Sequence, residues 1–521
     1  MSGRGLTARE VPPGGAPFFG APFNAFALSS GGRIDFACAA LLAVLTVAML
    51  LPGILTLPME LWDESRNAIG AWEMAASGDW IVTRFDGQPD LWSTKPPLLI
   101  WAIAAFMRAG LDPLLATRLP SLLATIGGVT GIYWACGTLA RDRLAGLLGG
   151  LFALCSVLYI GDHAGRTGDF DAPLALFTLG FVLCTGQYID AETGRGGHWI
   201  AAGAGLFALA ALTKGVAAGF AVPGLLAYAI ARGRLVAILR DWRLWASAIA
   251  ACAVLALWCA IREQAAPGFF AAMWANDVGG RVTIAQDDHE EGWYFYAMVL
   301  AQAAEPIVLL LPALFVVRKD PDPTRRRLCL LTGLAAASIL LTITCARTKL
   351  YWYAVPMVPL LAIATAIALT TVSRTYGSPI KSAGLLRPIA FLLLMTFWYQ
   401  NIRAPAADSP YAPDQVWYGP FLAELRARTK LDGAIVVDGG MGNAAGFVNY
   451  NPIAMFHTAT ATRFGEHIRL ATPSAAIVPG TTVVTCDPAE RDKFRADPTF
   501  ATIHANARCL AGSFRFTTPA R

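Results

Sequence analysis

The sequence predicts a polytopic α-helical membrane protein of about eleven transmembrane helices plus interfacial helices, with a small C-terminal α/β domain outside the membrane. Three observations point there. Of 521 residues, 55% are hydrophobic and only 15% charged, against about 25% charged in soluble chains. The apolar residues fall in long blocks and not in amphipathic stripes, and the mean hydropathy is +0.50. After residue 404 the pattern changes to short strand-like runs, Ala434 to Val437 and Thr481 to Thr485, between Gly, Asn and Pro turns. This composition excludes disordered, fibrous and small disulfide-stapled classes. The net charge of +5 is too small and too dispersed for nucleic-acid binding.

Taken in order, residues 1–33 are Gly- and Pro-rich, carry Arg4, Arg9 and Arg33, and read as a cytoplasmic N-terminal tail without a cleavable signal. Residues 34–404 form the transmembrane domain. Its spans are expected near 34–57, 116–140, 143–161, 172–189, 199–213, 215–231, 243–262, 294–317, 328–346, 351–372 and 387–404, since a span needs about 20 apolar residues. Residues 96–111 are apolar but short and open on Pro96-Pro97. If they do not cross, the basic connectors around Arg141/Arg143, Arg232/Arg240, Arg318/Arg327 and Arg374/Arg387 all share the side of the tail. That is the positive-inside pattern, so 96–111 is expected to be interfacial or re-entrant. The loops 58–95, 162–171, 263–293 and 347–350 then lie on the outer face, 58–95 and 263–293 being the large ones, and 405–521 is an extracytoplasmic α/β domain.

Eight cysteines (Cys38, Cys136, Cys155, Cys184, Cys252, Cys259, Cys329 and Cys345) lie in or beside apolar blocks and read as small core residues. Cys486 and Cys509 stand apart, and either pair in an oxidising compartment or stay as buried thiols. No Asn-x-Ser/Thr sequon occurs, which favours a bacterial inner membrane.

Chemistry concentrates at the outer span ends. Asp63 and Glu64 follow the first span directly, where a lipid head group would lie. Residues 64–76 suit a surface helix with Ile69, Trp72 and Ala76 facing inward. Asp169 and Asp171, in GDFDAPLALF, sit where the third span meets the fourth. Helix capping competes with function for all four acids. Convergence at one face is harder to explain by capping. The catalytic candidates are therefore Asp63, Asp171, Glu64 and Asp169, with Glu64 behind Asp63 because the next helix residue points about 100° away.

Lys95 in TKPP, Lys214 in LTKG, and Arg347 and Lys349 in ARTKLYWY are the basic candidates. A lysine between apolar hairpin arms either snorkels or needs an anion. Phosphate oxygens suit these cations. The run QDDHEEGWYFY, with Asp287, Asp288, His289, Glu290 and Glu291, can ligate a divalent metal or simply be solvated.

LWDESR, TKPP, DAPLALF, LTKG and KLYWYAVPMVPLL, in this order and with HEEGWYFY as a looser sixth stretch, resemble the GT-C superfamily of membrane glycosyltransferases. The similar branch is that of the protein O-mannosyltransferases and lipid A aminoarabinose transferases. The resemblance covers roughly residues 34–400. It implies transfer of a sugar from a polyprenyl-phosphate carrier at the outer membrane face, usually with inversion. It matches Asp63 to the catalytic acid of the first outer loop and Asp171 to the second-loop aspartate. It matches Lys95, Lys214 and Lys349, with Arg347 adjacent, to the donor phosphate region. His289 falls where some relatives have a histidine near a metal, so a divalent metal is possible. Thr94 departs from the glutamate common before the KP lysine in aminoarabinose transferases, which weakens that metal inference. The expected partners are the polyprenyl-phosphate-linked sugar, membrane lipids and an envelope lipid, glycan or protein acceptor, at a bacterial inner membrane with the site facing the periplasm. The alternatives are a multi-pass transporter or flippase, against which the acids at span ends and the lack of internal repeats count, and a binding protein that has lost catalysis.

Overall fold

In the computed structural model, residues 30–192, 194–279, 291–377, 414–440 and 450–515 are described. The membrane part is helical: α1 Ser30–Thr56, α2 Asp63–Ser77, α3 Leu98–Arg108, α4 Pro113–Tyr133, α5 Arg143–Leu154, α6 Val157–Ile160, α7 Asp171–Asp190, α8 Gly197–Lys214, α9 Val222–Ala231, α10 Leu235–Leu239, α11 Trp242–Ala265, α12 Phe269–Met273, α13 Phe295–Ala303, α14 Glu305–Leu309, α15 Pro323–Cys345 and α16 Met357–Tyr376. A short hairpin, β1 Arg84–Phe85 with β2 Gln88–Pro89, lies between α2 and α3.

Among the described residues, seven helical stretches are long and apolar enough to cross a membrane. Several of the expected spans are interrupted. The 143–161 block breaks after Leu154, the 215–231 block opens with a 3₁₀ turn at Gly215–Ala221, and the 294–317 block divides into α13, α14 and a 3₁₀ stretch at Leu311–Lys319. The 351–372 block opens with a 3₁₀ turn at Tyr351–Ala354 before α16. The 387–404 block lies outside the described residues. α3 has 11 residues, about 16 Å of helix at 1.5 Å per residue. That is too short to span, and α3 packs between α2 and α4.

Basic connectors gather at the end of the bundle away from the 58–95 loop. Arg143 binds Asp35 at the start of α1 (2.6 Å), and Arg325 and Arg374 bind Asp320 (2.7 and 3.4 Å).

The C-terminal part carries a five-stranded sheet of β3 Ile435–Val437, β4 Arg469–Ala471, β5 Thr482–Thr485, β6 Phe500–Ala505 and β7 Leu510–Phe514. The order is β4-β3-β5-β7-β6, with β3 parallel to β4 and β5, and β7 antiparallel to β5 and β6. Helices α17 Tyr418–Arg426, α18 Pro452–Thr460 and α19 Pro488–Ala496 accompany it. Both anticipated strand runs are strands. Cys486 and Cys509 form a disulfide. α18 packs on α2, and Val416, Tyr450, Ile453 and Phe456 share one core with Met59, Ile69 and Phe170.

Candidate active site

A cavity of about 880 Å³ opens where α2, the Asp63–Lys95 loop, the 161–170 loop and α8 meet. Asp63, Lys95, His163, Asp171 and Lys214 line its polar end. Val216, Phe220, Leu255, Leu341 and Ile343 form apolar walls running between helices. One end thus suits charged groups and the other a hydrocarbon chain.

Asp63 is the first residue of α2 and does not cap it: the N-cap is Trp62, which makes no side-chain capping bond. Trp62 has φ 72° and ψ −110°, a region that costs a residue with a Cβ about 1–3 kcal/mol and persists only when surroundings enforce it. Lys95 Nζ lies 3.9 Å from Asp63 Oδ1, and His163 Nδ1 lies 3.8 Å from Oδ2. The Lys95 ammonium also sits over the Phe170 ring at 5.2 Å.

Glu64 is placed quite differently. It is 1% exposed. Arg118 donates to it twice, Nε to Oε1 at 2.6 Å and Nη2 to Oε2 at 3.0 Å. The N–H groups of Gly168 and Glu60 donate to the same carboxylate at 3.1 and 2.7 Å. Arg118 further donates to the carbonyls of Ile54, Leu57 and Pro58. It therefore binds the end of α1 to the start of α2. Gly168 is required where it stands, since a Cβ would lie 2.4 Å from Thr117 Cγ2 and 2.7 Å from the Thr117 carbonyl.

The expected inward face of the surface helix needs correction. Ile69 is buried and Trp72 partly so, but Ala76 is exposed. The buried set also includes Ser65, Arg66, Asn67 and Ala68. Protein covers α2 on several sides, so no simple membrane-facing stripe exists. Arg66 is engaged by Asp90 at 2.7 Å.

His163 is a site residue that the sequence reading passed over. Its ring stacks on Trp352 at 3.8 Å and its backbone φ is 57°. Nδ1 is 3.7 Å from Asp169 Oδ1, too long for a hydrogen bond; both atoms are buried without a hydrogen-bond partner. Burial opposes the charged ring, but the carboxylates of Asp169 and Asp63 outweigh it and hold the pKa up at about 9. Asp169 Oδ2 accepts from Thr167 Oγ1 at 2.5 Å. Asp63, His163 and Asp169 offer three ligand atoms within 4.8 Å of one another. They are the set among the described residues that fits a divalent cation, which would supply positive charge beside a phosphate. His289, the anticipated ligand, lies outside the described residues.

Asp171 opens α7 and again is not a cap, since Phe170 holds that position. Its two oxygens both accept from Lys214 Nζ at 2.6 Å. That ammonium stands over the Tyr353 ring at 5.1 Å. Gly215, with φ 54°, allows the sharp turn after Lys214. Arg347 is exposed and Lys349 buried, and neither lines the cavity, although Thr348 between them does. Thr94 Oγ1 donates to Asp277 of the second outer loop, so the polar residue that replaces the expected glutamate joins the two loops.

Residues 94–262 match the family described as dolichyl-phosphate-mannose-protein mannosyltransferase. The undecaprenyl phosphate-alpha-4-amino-4-deoxy-L-arabinose arabinosyl transferase of Pseudomonas savastanoi is 27% identical over 379 residues, 70% of this chain and 68% of that relative. ArnT from Cupriavidus metallidurans, solved bound to undecaprenyl phosphate, superposes with a TM-score of 0.62 at 16% identity, covering 93% of this chain and 98% of ArnT. The archaeal oligosaccharyltransferase AglB from Archaeoglobus fulgidus, in complex with an inhibitory peptide and a dolichol-phosphate, gives 0.50 at 12% identity, covering 89% of this chain and 71% of AglB. The fold is that of the GT-C membrane glycosyltransferases. Within that class, this multi-pass glycosyltransferase resembles the branch of the aminoarabinose transferases and protein O-mannosyltransferases.

Proposed function

We propose that the chain transfers a sugar from a polyprenyl-phosphate donor to an acceptor of the cell envelope, at the outer face of a bacterial inner membrane, with inversion at the anomeric carbon. The observation that carries this is one cavity whose apolar walls end at two lysines and two aspartates. The lipid tail lies along Phe220, Leu255 and Leu341. Lys95 and Lys214 face the phosphate; Lys214 exchanges part of its contact with Asp171 for phosphate oxygens. Arg347 and Lys349, which stand off the cavity, flank it and contribute charge at longer range.

The acceptor oxygen attacks the anomeric carbon as the bond from that carbon to the phosphate oxygen breaks. The phosphate leaves with the electron pair, and its new charge is met by lysines already in place, an arrangement worth several kcal/mol. The acceptor proton passes to Asp63, which acts as general base. Asp171 and Asp169 stabilise positive charge at the sugar carbon, by analogy with glycosidases. Glu64 and Arg118 fix the loop.

The test is transfer of radiolabelled sugar from polyprenyl-phosphate donors to membrane extracts by the purified protein, alongside mass spectrometry of envelope glycolipids and glycans from a deletion strain. A labelled product that matches a species missing from the deletion strain is expected. Absence of transfer and an unchanged envelope would overturn the proposal.

A further inference from the structure

We infer that Tyr450, in the C-terminal part of the chain, is a positioning residue for Asp63, so that this part completes the transfer site and is not a separate binding module. The inference rests on the general-base role given to Asp63.

The Tyr450 ring lies between two rings of the first outer loop. It stacks on Trp62 with centroids 5.0 Å apart and planes at 23°, and on Phe85 at 5.9 Å and 19°. Tyr450 is 1% exposed. Trp62 lines the cavity and is the residue immediately before Asp63. Its carbonyl accepts from the Arg66 N–H at 3.0 Å and from Ser65 Oγ at 3.3 Å, which closes the first turn of α2. The backbone of Trp62 thus sets where that helix starts and where Asp63 points.

A residue with a side chain at φ 72° relaxes unless its surroundings hold it. The Tyr450 ring is one part of those surroundings that another region of the chain supplies. The same core reaches Phe170, which stands between Asp169 and Asp171. Packing from the C-terminal part therefore bears on residues adjoining three of the carboxylates. Ile453 belongs to the same core but has no ring to stack on Trp62, and it serves as an internal control.

The test uses purified full-length protein and steady-state kinetics for sugar transfer, with a thermal unfolding curve for each variant. Tyr450→Phe keeps the ring and is expected to turn over at close to the wild-type rate. Tyr450→Ala is expected to lower kcat by about 10–100-fold, because misplacement of a reacting group by about 1 Å costs on that order. Donor KM should stay within about two-fold, since the phosphate and tail contacts are untouched. Ile453→Val should lower the unfolding temperature and leave kcat unchanged. Tyr450→Ala on a Trp62→Ala background should add little, because both changes remove one contact. Wild-type kcat in Tyr450→Ala would overturn the inference. So would equal losses in Tyr450→Phe and Tyr450→Ala, or a fall in kcat in Ile453→Val matching its loss of stability. Asp63→Asn is run beside them. If it turns over at the wild-type rate, the base assignment itself fails; if it is inactive while Tyr450→Ala is not, only the positioning role fails.

Discussion

Asp63 and Glu64 are neighbours in the chain and opposites in the structure. Glu64 is sealed from solvent and held by Arg118 and two backbone N–H groups at 2.6–3.1 Å. The ion-pair contacts of Asp63 to Lys95 and His163 are 3.9 and 3.8 Å, and its carboxylate faces the cavity. A carboxylate whose oxygens are all held by fixed donors serves as an anchor, whereas one that lines the cavity is placed to meet a substrate. Being acidic and at the right span end therefore does not distinguish a reactive group from a structural one. The partners decide.

The largest effect should come from Asp63→Asn, which keeps shape and removes charge. Turnover should fall about 10²–10⁴-fold, the usual contribution of a general base, with donor binding and expression retained. Glu64→Gln sharpens the contrast. It leaves the Arg118 guanidinium buried against a neutral partner, so the main loss should be stability, up to about 3–5 kcal/mol for a broken buried pair. A denaturant titration beside a kinetic assay separates the two. The comparison breaks if Glu64→Gln is stable and inactive while Asp63→Asn is active.

Lys214→Met should weaken donor affinity by about tenfold or more, the scale of one lost charge-assisted contact. It also strips Asp171 of its cation, so Lys214→Met with Asp171→Asn is the necessary partner. Unchanged apparent donor affinity in both variants would mean that Lys214 serves only to neutralise Asp171.

The smallest effect concerns His457 on α18, whose ring packs against the Gly419 backbone. Burial, with help from Arg426, pushes its pKa down to about 4. The folded state thus keeps the ring neutral where the unfolded chain protonates it. The stabilising contribution is complete above about pH 6.5 and drains away as pH falls toward 4. Unfolding temperature should drop across that window more steeply than in His457→Gln. Parallel pH profiles would refute this.

The membrane class, the late α/β part and the short α3 were legible in the sequence because span length, basic connectors and period-two runs each have one simple cause. Asp63, Asp171, Lys95 and Lys214 were legible because charge at span ends is costly without a purpose. Arg118 and His163 were not singled out. Arg118 had a signal, a lone arginine inside an apolar run, and should have been asked for a buried acid. His163 stood six residues before Asp169, in a loop whose folding back the sequence does not encode locally. Arg347 and Lys349 showed the reverse, since their motif sits beside the cavity while the cationic groups stand off its wall. Capping looked equally good on paper for Asp63 and Asp171, and only the positions of Trp62 and Phe170 removed it.

The shared core of the first outer loop and α18 joins pieces of chain that leave the ribosome far apart in time. Met59 and Ile69 share their core with earlier residues of α2, α3 and α4, but that core is complete only when Tyr450 and Phe456 have been made. The spanning helices can enter the membrane in sequence order, but the segment around Asp63 stays without the cover of α18 until Phe456 has been made. Contacts at such separation form late and carry a large loop-closure cost. The half-built protein therefore has its bundle helices before the polar end of its cavity is finished.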